Sequence, residues 1–246
     1  FSSELGVPPD YERQRVIRVD VDPRHLTFHH RNHLPILGDA RLFCEAILNT
    51  GEIFTSKQRR ITPGDTPILD IENSRVAVMF KTLCDTLPRE TIYVIDSGKQ
   101  SRSIARHMKI KGPRKFLTTG KLGSIAYGLS AALGAKVGCP DLSVVCLSGD
   151  GGLMHIIQEL ETGVREDIPV VLVVLNDNAY GIIKWQQEQR FQRRYIGTDI
   201  AKNDYVMVAK GFGAEGYRTE DPEEVISLVR SAIKQYKFTL IDFVIS

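Results

Sequence analysis

The sequence predicts an α/β fold: a doubly wound parallel sheet with helices on both faces. Three observations carry this. From residue 75 onward, short apolar segments alternate with segments of helical period, the order that builds strand–helix–strand units. The runs VVLVVL (170–175) and LIDFVI (240–245) show little polar alternation, as strands covered on both sides do. Two of the apolar runs end in acidic residues, Gly149-Asp150-Gly151 and Asn176-Asp177-Asn178. In open parallel sheets, ligands bind beyond the carboxyl ends of the strands.

Each element follows from its own pattern. RVIRVDVDP (15–23) reads as a short strand ending in a turn, and LPIL (34–37) as an edge strand after an irregular stretch. GDARLFCEAIL reads as a helix capped by Asp39. Residues 50–74 are polar and rich in Gly, Pro and Thr, a linker by composition. The expected domains are therefore residues 1–50, a linker over 51–74, and 75–246.

In the last of these, a helix (75–87) precedes the strand TIYVID. KFLTT is a short strand, 123–137 a helix of small residues, LSVVCLS a strand and 152–166 a helix. PVVLVVLN is a strand, and 180–190 is helical. DYVMVAKGF (helix), GAEGYRT (strand), PEEVISLVRSAIKQY (helix) and FTLIDFVI (strand) close the chain. Leu153, Ile156, Ile157, Leu160 and Val164 recur at helical spacing and form one buried stripe with no chemical role.

Composition narrows the function. With 246 residues, the chain can form one large domain or two smaller ones. A formal net charge of +2 is too small to make nucleic acid the main partner. No apolar run is long enough for a membrane-spanning helix, and no signal segment opens the chain. A cytoplasmic location is expected. The four cysteines (44, 84, 139 and 146) form no C-x-x-C pair and read as buried thiols of a reducing compartment. A start at Phe1 instead of Met reads as a processed product or a piece of something longer.

The chemistry gathers at the two acidic tips. Asp150 and Asp177 are twenty-seven positions apart, far enough for one helix to return the second strand parallel to the first. Carboxylates at neighbouring strand tips can converge on one hard cation. Mg²⁺ suits such a site, because it takes few protein oxygens and shares its octahedron with phosphates and water. Gly151 and Gly152 let backbone N–H groups approach a diphosphate.

These residues carry a family resemblance. GDGGLMHIIQELETGVREDIPVVLVVLNDNAYG resembles the signature of thiamine-diphosphate enzymes, in which GDG is followed by a long spacer and a pair that is usually Asn-Asn. VIRVDVDP with GDA, VIDSGKQS, FLTTGKLGSIAYGLSAALGA and FGAEGYR resemble, within that class, the large subunit of acetolactate synthase. Together these stretches cover most of residues 15–50 and 76–246.

The resemblance implies thiamine diphosphate and Mg²⁺ as cofactors, with Asp150, Asp177 and the carbonyl of Ala179 as metal ligands. Gly149, Gly151 and Gly152 would lie against the diphosphate, and Gly98, Lys99 and Gln100 would face its terminal phosphate. Tyr180 and Gly181 complete the expected cofactor contacts. Two residues are expected to be catalytic by positioning. The Gly123 carbonyl would accept a hydrogen bond from the aminopyrimidine, and Ile125 would prop the cofactor in its bent, reactive shape.

The implied reaction is decarboxylation or carboligation of a 2-keto acid, pyruvate first, with the cofactor's ring as electron sink. A pyruvate oxidase-type activity is the alternative within the class. The activating Glu would come from a pyrimidine-binding domain that precedes this chain and sits on a partner subunit, in a homodimer or homotetramer. FAD in the full-length protein is a further implication, through the middle domain that residues 1–50 would end. Alone, the chain is expected to be inactive. Two rival readings are a noncatalytic module of the same fold and a nucleotide-binding protein.

Several other features read as structural. The cluster His25, His29, His30 and His33 lacks the spacing of a metal site and reads as a solvated loop. His155 reads as packing against the sheet. Glu159 and Glu161 do not share a helix face and so do not form an acid–base pair. RFQRR (190–194) reads as a solvated helix end. GKLGSIAYG lacks the G-x-G-x-x-G order of a dinucleotide loop.

Overall fold

The structure is a computed structural model and describes residues 16–26, 33–50, 75–99, 101, 104, 112, 115–120 and 123–245. The chain divides into two compact units, Phe1–Pro67 and Ile68–Ser246.

In the first unit, β1 (Val16–Asp20) pairs in parallel with β2 (His33–Leu37), and α1 (Pro23–Leu26) and α2 (Ala40–Asn49) follow them. Asp39 caps α2 as its sequence position predicts: its Oδ1 accepts from the amides of Arg41 (2.8 Å) and Leu42 (3.2 Å). No residue of α2 is buried, so Cys44 is exposed, against the expectation of a buried thiol. Cys84 and Cys146 are buried and Cys139 is half-buried. His25 pairs with Asp20 (3.3 Å), while His29 and His30, and the side chain of His33, lie outside the described residues.

The second unit is built on a six-stranded sheet, every pairing parallel. Its strands are β3 (Ile92–Ile95), β4 (Phe116–Thr118), β5 (Val144–Gly149), β6 (Val171–Asn176), β7 (Glu215–Thr219) and β8 (Thr239–Val244), in the order β4-β3-β5-β6-β8-β7. The central strands β5, β6 and β8 are buried almost throughout, and the edge strands β4 and β7 are not.

Because side chains alternate across a strand, each strand feeds two cores. Val145, Leu147, Val171, Val173, Ile241 and Phe243 face one core, with α3 (Arg75–Thr86) and α9 (Pro222–Gln235). Val144, Cys146, Leu172, Val174 and Leu240 face the other, with α4 (Gly128–Gly138), α5 (Asp150–Leu153), α6 (Glu159–Arg165) and α8 (Tyr205–Gly211). This is the predicted doubly wound α/β fold. α7 (Gly181–Arg190) follows the second acidic tip.

Two predicted helices differ in extent. The helix read over 123–137 begins only at Gly128, because Gly123 (φ 62°) and Ala126 (φ 66°) take left-handed conformations that a helix cannot contain. The helix read over 152–166 is broken. Between Leu153 and Glu161 the amides bond three residues back, His155 to Gly152 and Ile156 to Leu153 among them, which tightens the turn and separates α5 from α6. Leu153 and Leu160 of the apolar stripe are fully buried, while Ile156, Ile157 and Val164 pack partly buried against the same core. No helix among the described residues is long and apolar enough to cross a membrane.

Leu172→Ala, in the middle of β6 and fully buried, is expected to lower the unfolding free energy by about 2–5 kcal/mol. Met207→Ala, on the 70% exposed side of α8, is expected to stay within about 0.5 kcal/mol of the unaltered chain. Urea denaturation followed by circular dichroism measures both, and a wild-type midpoint for Leu172→Ala would contradict the two-sided core.

Candidate functional site

The strand order reverses between β3 and β5: from β3 the chain moves outward to β4, then returns to β5 on the other side. Connections on the two sides of such a point diverge and leave a crevice beyond the strand tips. A cleft of about 160 Å³ lies there, lined from three successive strand tips, β3, β5 and β6.

Most of the predicted site residues meet in this cleft. Gly98 and Lys99 come from the tip of β3, and Gly149, Asp150, Gly151 and Gly152 from that of β5. Asp177, Ala179, Tyr180 and Gly181 come from the tip of β6. Ile125 reaches the cleft from the turn before α4 and keeps 44% of its surface exposed. Gly123 does not line the cleft but sits beside it, where an added Cβ would lie 3.8 Å from Ser97 Oγ. Gln100 lies outside the described residues.

Asp150 is 1% exposed. Its Oδ1 accepts from the Gly151 amide at 2.9 Å, and its buried Oδ2 has no hydrogen-bond partner within 3.5 Å among the described residues, although the amides of Ala179 and Asn178 lie close enough to oppose the rise in its pKa. Burial, and then the neighbouring Asp177 charge, push its pKa up to about 7. Burial also raises Asp177, and the Lys99 cation opposes that rise. Two carboxylates that repel across a desolvated cleft are stable as ions only with a cation between them. The donor set fits such an ion: two hard carboxylates, one with an orphaned buried oxygen, and a nearby backbone turn. Among the described residues no group of three His, Cys, Asp or Glu converges, so the pair is the whole side-chain set there.

Close packing explains the glycines. A Cβ on Gly151 would fall 2.7 Å from the Tyr180 ring, and one on Gly152 would fall 2.7 Å from Asp96 Oδ2. A Cβ on Gly181 would fall 2.6 Å from Asp177 Oδ2. Gly151 and Gly152 thus admit side chains from the neighbouring tips of β6 and β3, and Gly181 admits the Asp177 carboxylate of its own tip, a role that the GDGG spacing alone does not show.

Sequence reasoning missed Asp96. It is buried, and its Oδ1 accepts from the amides of Ser97 (2.7 Å) and Tyr127 (3.2 Å) while Oδ2 accepts from Ser148 Oγ (2.9 Å). It ties β3 to β5 and to the turn that carries Gly123 and Ile125. The available signal was an acid ending an apolar strand, the same signal that marks Asp150 and Asp177. His155 does not pack against the sheet: it is exposed, with Nε2 3.3 Å from the Tyr180 hydroxyl, because the tight turns after α5 swing it outward. Glu161 pairs with Arg165 (2.8 Å), and Lys184 with Asp199 (2.7 Å).

An open parallel sheet with a carboxylate-lined crevice at its switch point defines a ligand-binding α/β domain of the doubly wound class. Residues 96–243 match the family described as thiamine pyrophosphate enzyme, C-terminal TPP binding domain, and the chain belongs to that family.

It is 27% identical to the probable acetolactate synthase large subunit of Methanococcus aeolicus, over 94% of this chain and 43% of that one. It is 30% identical to the acetolactate synthase isozyme 2 large subunit of Escherichia coli K12, over 85% and 39%. With pyruvate oxidase of Lactiplantibacillus plantarum it shares 27% identity over 94% and 40%. The thiamine diphosphate-dependent 4-hydroxybenzoylformate decarboxylase of Rhodococcus jostii RHA1 has the same fold, with a TM-score of 0.75 at 24% identity over 96% of this chain and 44% of that one. The chain thus spans less than half the length of these relatives.

Because the pKa of folded Asp150, about 7, lies above the usual carboxylate value of about 4, the metal-free folded chain keeps a proton that the unfolded chain loses between those pH values. Its unfolding free energy therefore falls as pH rises through that window. Asp150→Asn has no such proton, so in EDTA it is expected to gain stability relative to wild type between pH 5 and pH 8. Urea unfolding at the two pH values tests this, and an unchanged difference contradicts it.

Proposed function

We propose that the chain forms the diphosphate- and Mg²⁺-binding half of a thiamine-diphosphate-dependent 2-keto-acid decarboxylase or carboligase of the acetolactate synthase type. The observation that carries this reading is the buried, unpartnered Oδ2 of Asp150 facing the charge of Asp177 in a cleft at the switch point.

Asp150, Asp177 and the Ala179 carbonyl would hold Mg²⁺. The amides of Gly151 and Gly152 would meet the diphosphate, with Gly149, Tyr180 and Gly181 shaping the cleft around it. Gly98, Lys99 and Gln100 would face the terminal phosphate, where the Lys99 cation offsets the carboxylates. The cofactor supplies an electron sink for the bond to carbon dioxide. The chain's own work would be positioning: the Gly123 carbonyl would hold the aminopyrimidine amino group, and Ile125, exposed at the cleft, would fix its angle.

A pyrimidine-binding domain of a partner subunit would supply the activating Glu, in a homodimer or homotetramer. The chain's share of its relatives' length supports this division. The similarity to pyruvate oxidase supports that activity as the second reading, with FAD held through a middle domain that the first unit ends.

Calorimetry with thiamine diphosphate and Mg²⁺, run beside NAD, tests the site. Binding of the first pair alone is expected. Asp150→Ala and Asp177→Ala are each expected to weaken it more than the about 10–100-fold typical of outer-shell changes. Binding of NAD in its place would overturn the reading. The purified 246-residue chain is also expected to release no carbon dioxide from pyruvate, and turnover would contradict the division of the active site between two halves.

A further inference from the structure

A buried polar chain crosses three strands and ends at the second acidic tip. Asp242 on β8 has a fully buried side chain. Its Oδ1 accepts from Asn176 Nδ2 at 2.9 Å, and its Oδ2 accepts from Arg218 Nε at 2.7 Å. Arg218 is the register partner of Asp242 on the edge strand β7, and its Nη2 also donates to the Asn203 carbonyl at 3.1 Å.

Asn176 is the last residue of β6. With Nδ2 committed to Asp242, its Oδ1 faces away and accepts from the amide of Asn178 at 3.2 Å. Asn178 sits in a left-handed conformation, φ 52°. Asn is one of the few residues other than glycine that adopts this conformation readily. Two contacts fix it: the amide bond to Asn176, and the Asn178 carbonyl accepting from the Ile200 amide at 2.8 Å. The turn held in this way carries Asp177 and Ala179.

Sheet closure alone does not require this arrangement. The backbone of Asn176 is already tied to β8, its carbonyl accepting from the Ile245 amide at 2.9 Å. The side-chain links lead out of the sheet and into the turn. Arg218 gives the fully buried Asp242 carboxylate a charged partner in a directed geometry.

We propose that Asp242 and Arg218 are positioning residues for divalent-cation binding: through Asn176 they set the turn that presents Asp177 and the Ala179 carbonyl. This rests on the metal site proposed above. Outer partners that orient metal ligands commonly change affinity by about 10–100-fold when removed.

The test is Mn²⁺ titration, followed by electron paramagnetic resonance, of the chain saturated with thiamine diphosphate. Each variant is measured at a temperature where circular dichroism shows it folded. Asp242→Asn and Arg218→Ala are expected to raise the Mn²⁺ Kd by about 10–100-fold, with Arg218→Lys in between because it keeps the charge and loses the directed geometry. Val225→Ala, a core truncation in α9, is the stability control and is expected to leave the Kd within about twofold, since it removes no ligand support.

Wild-type Mn²⁺ affinity in folded Asp242→Asn and Arg218→Ala, with loss in Asp177→Ala, overturns the relay and leaves the metal site standing. Wild-type affinity in Asp177→Ala overturns both. If Asp242→Asn or Arg218→Ala does not fold, Arg218→Lys decides, because it keeps a positive charge opposite the buried Asp242 carboxylate, and a wild-type Kd in that variant overturns the relay.

Discussion

The structure of the second unit turns on one electrostatic conflict: two neighbouring carboxylates, Asp150 buried and Asp177 half-buried, whose pKa values burial pushes up. A fold that optimised only its own stability would not retain it. The burial of Asp150 raises its pKa, and its second oxygen has no hydrogen-bond partner among the described residues. Such an arrangement becomes favourable when a cation arrives, and the free energy of that arrival is added to folding.

The parallel sheet is what makes the conflict possible. In an antiparallel sheet, neighbouring strands end on opposite sides. Here β3, β5 and β6 end on the same side, and each ends in an acid or is followed at once by one: Asp96, Asp150 and Asp177. The three have different fates. Asp96 is satisfied by two amides and a hydroxyl and serves as a fastener. Asp150 keeps one oxygen without such a partner among the described residues, and Asp177 is only half-buried. The same residue type at equivalent strand tips thus does structural or ligand-directed work according to how many donors surround it.

The glycines show how tightly the tips are fitted. Gly151 and Gly152 each leave room for a side chain from the next tip, so the cleft is formed by interlocking and not by a single loop. On the strands beyond β6, Asp242 and Arg218 hold Asn176 at the tip that carries Asp177.

The alternation of apolar runs and helical periods was enough for the doubly wound fold, because burial on both faces demands it and the demand is local in sequence. The acidic tips and their spacing were legible for the same reason. Helix limits near 123–127 and 154–158 were not, because left-handed backbone and tightened turns leave no periodic trace. Nor was the exposure of His155 or of Cys44, which depends on what neighbouring elements fail to cover. The sequence by itself determined which carboxylates stand at strand ends. Only the tertiary structure decided which of them find donors, because hydrogen-bond partners come from strands far apart in the chain and their approach is set by packing.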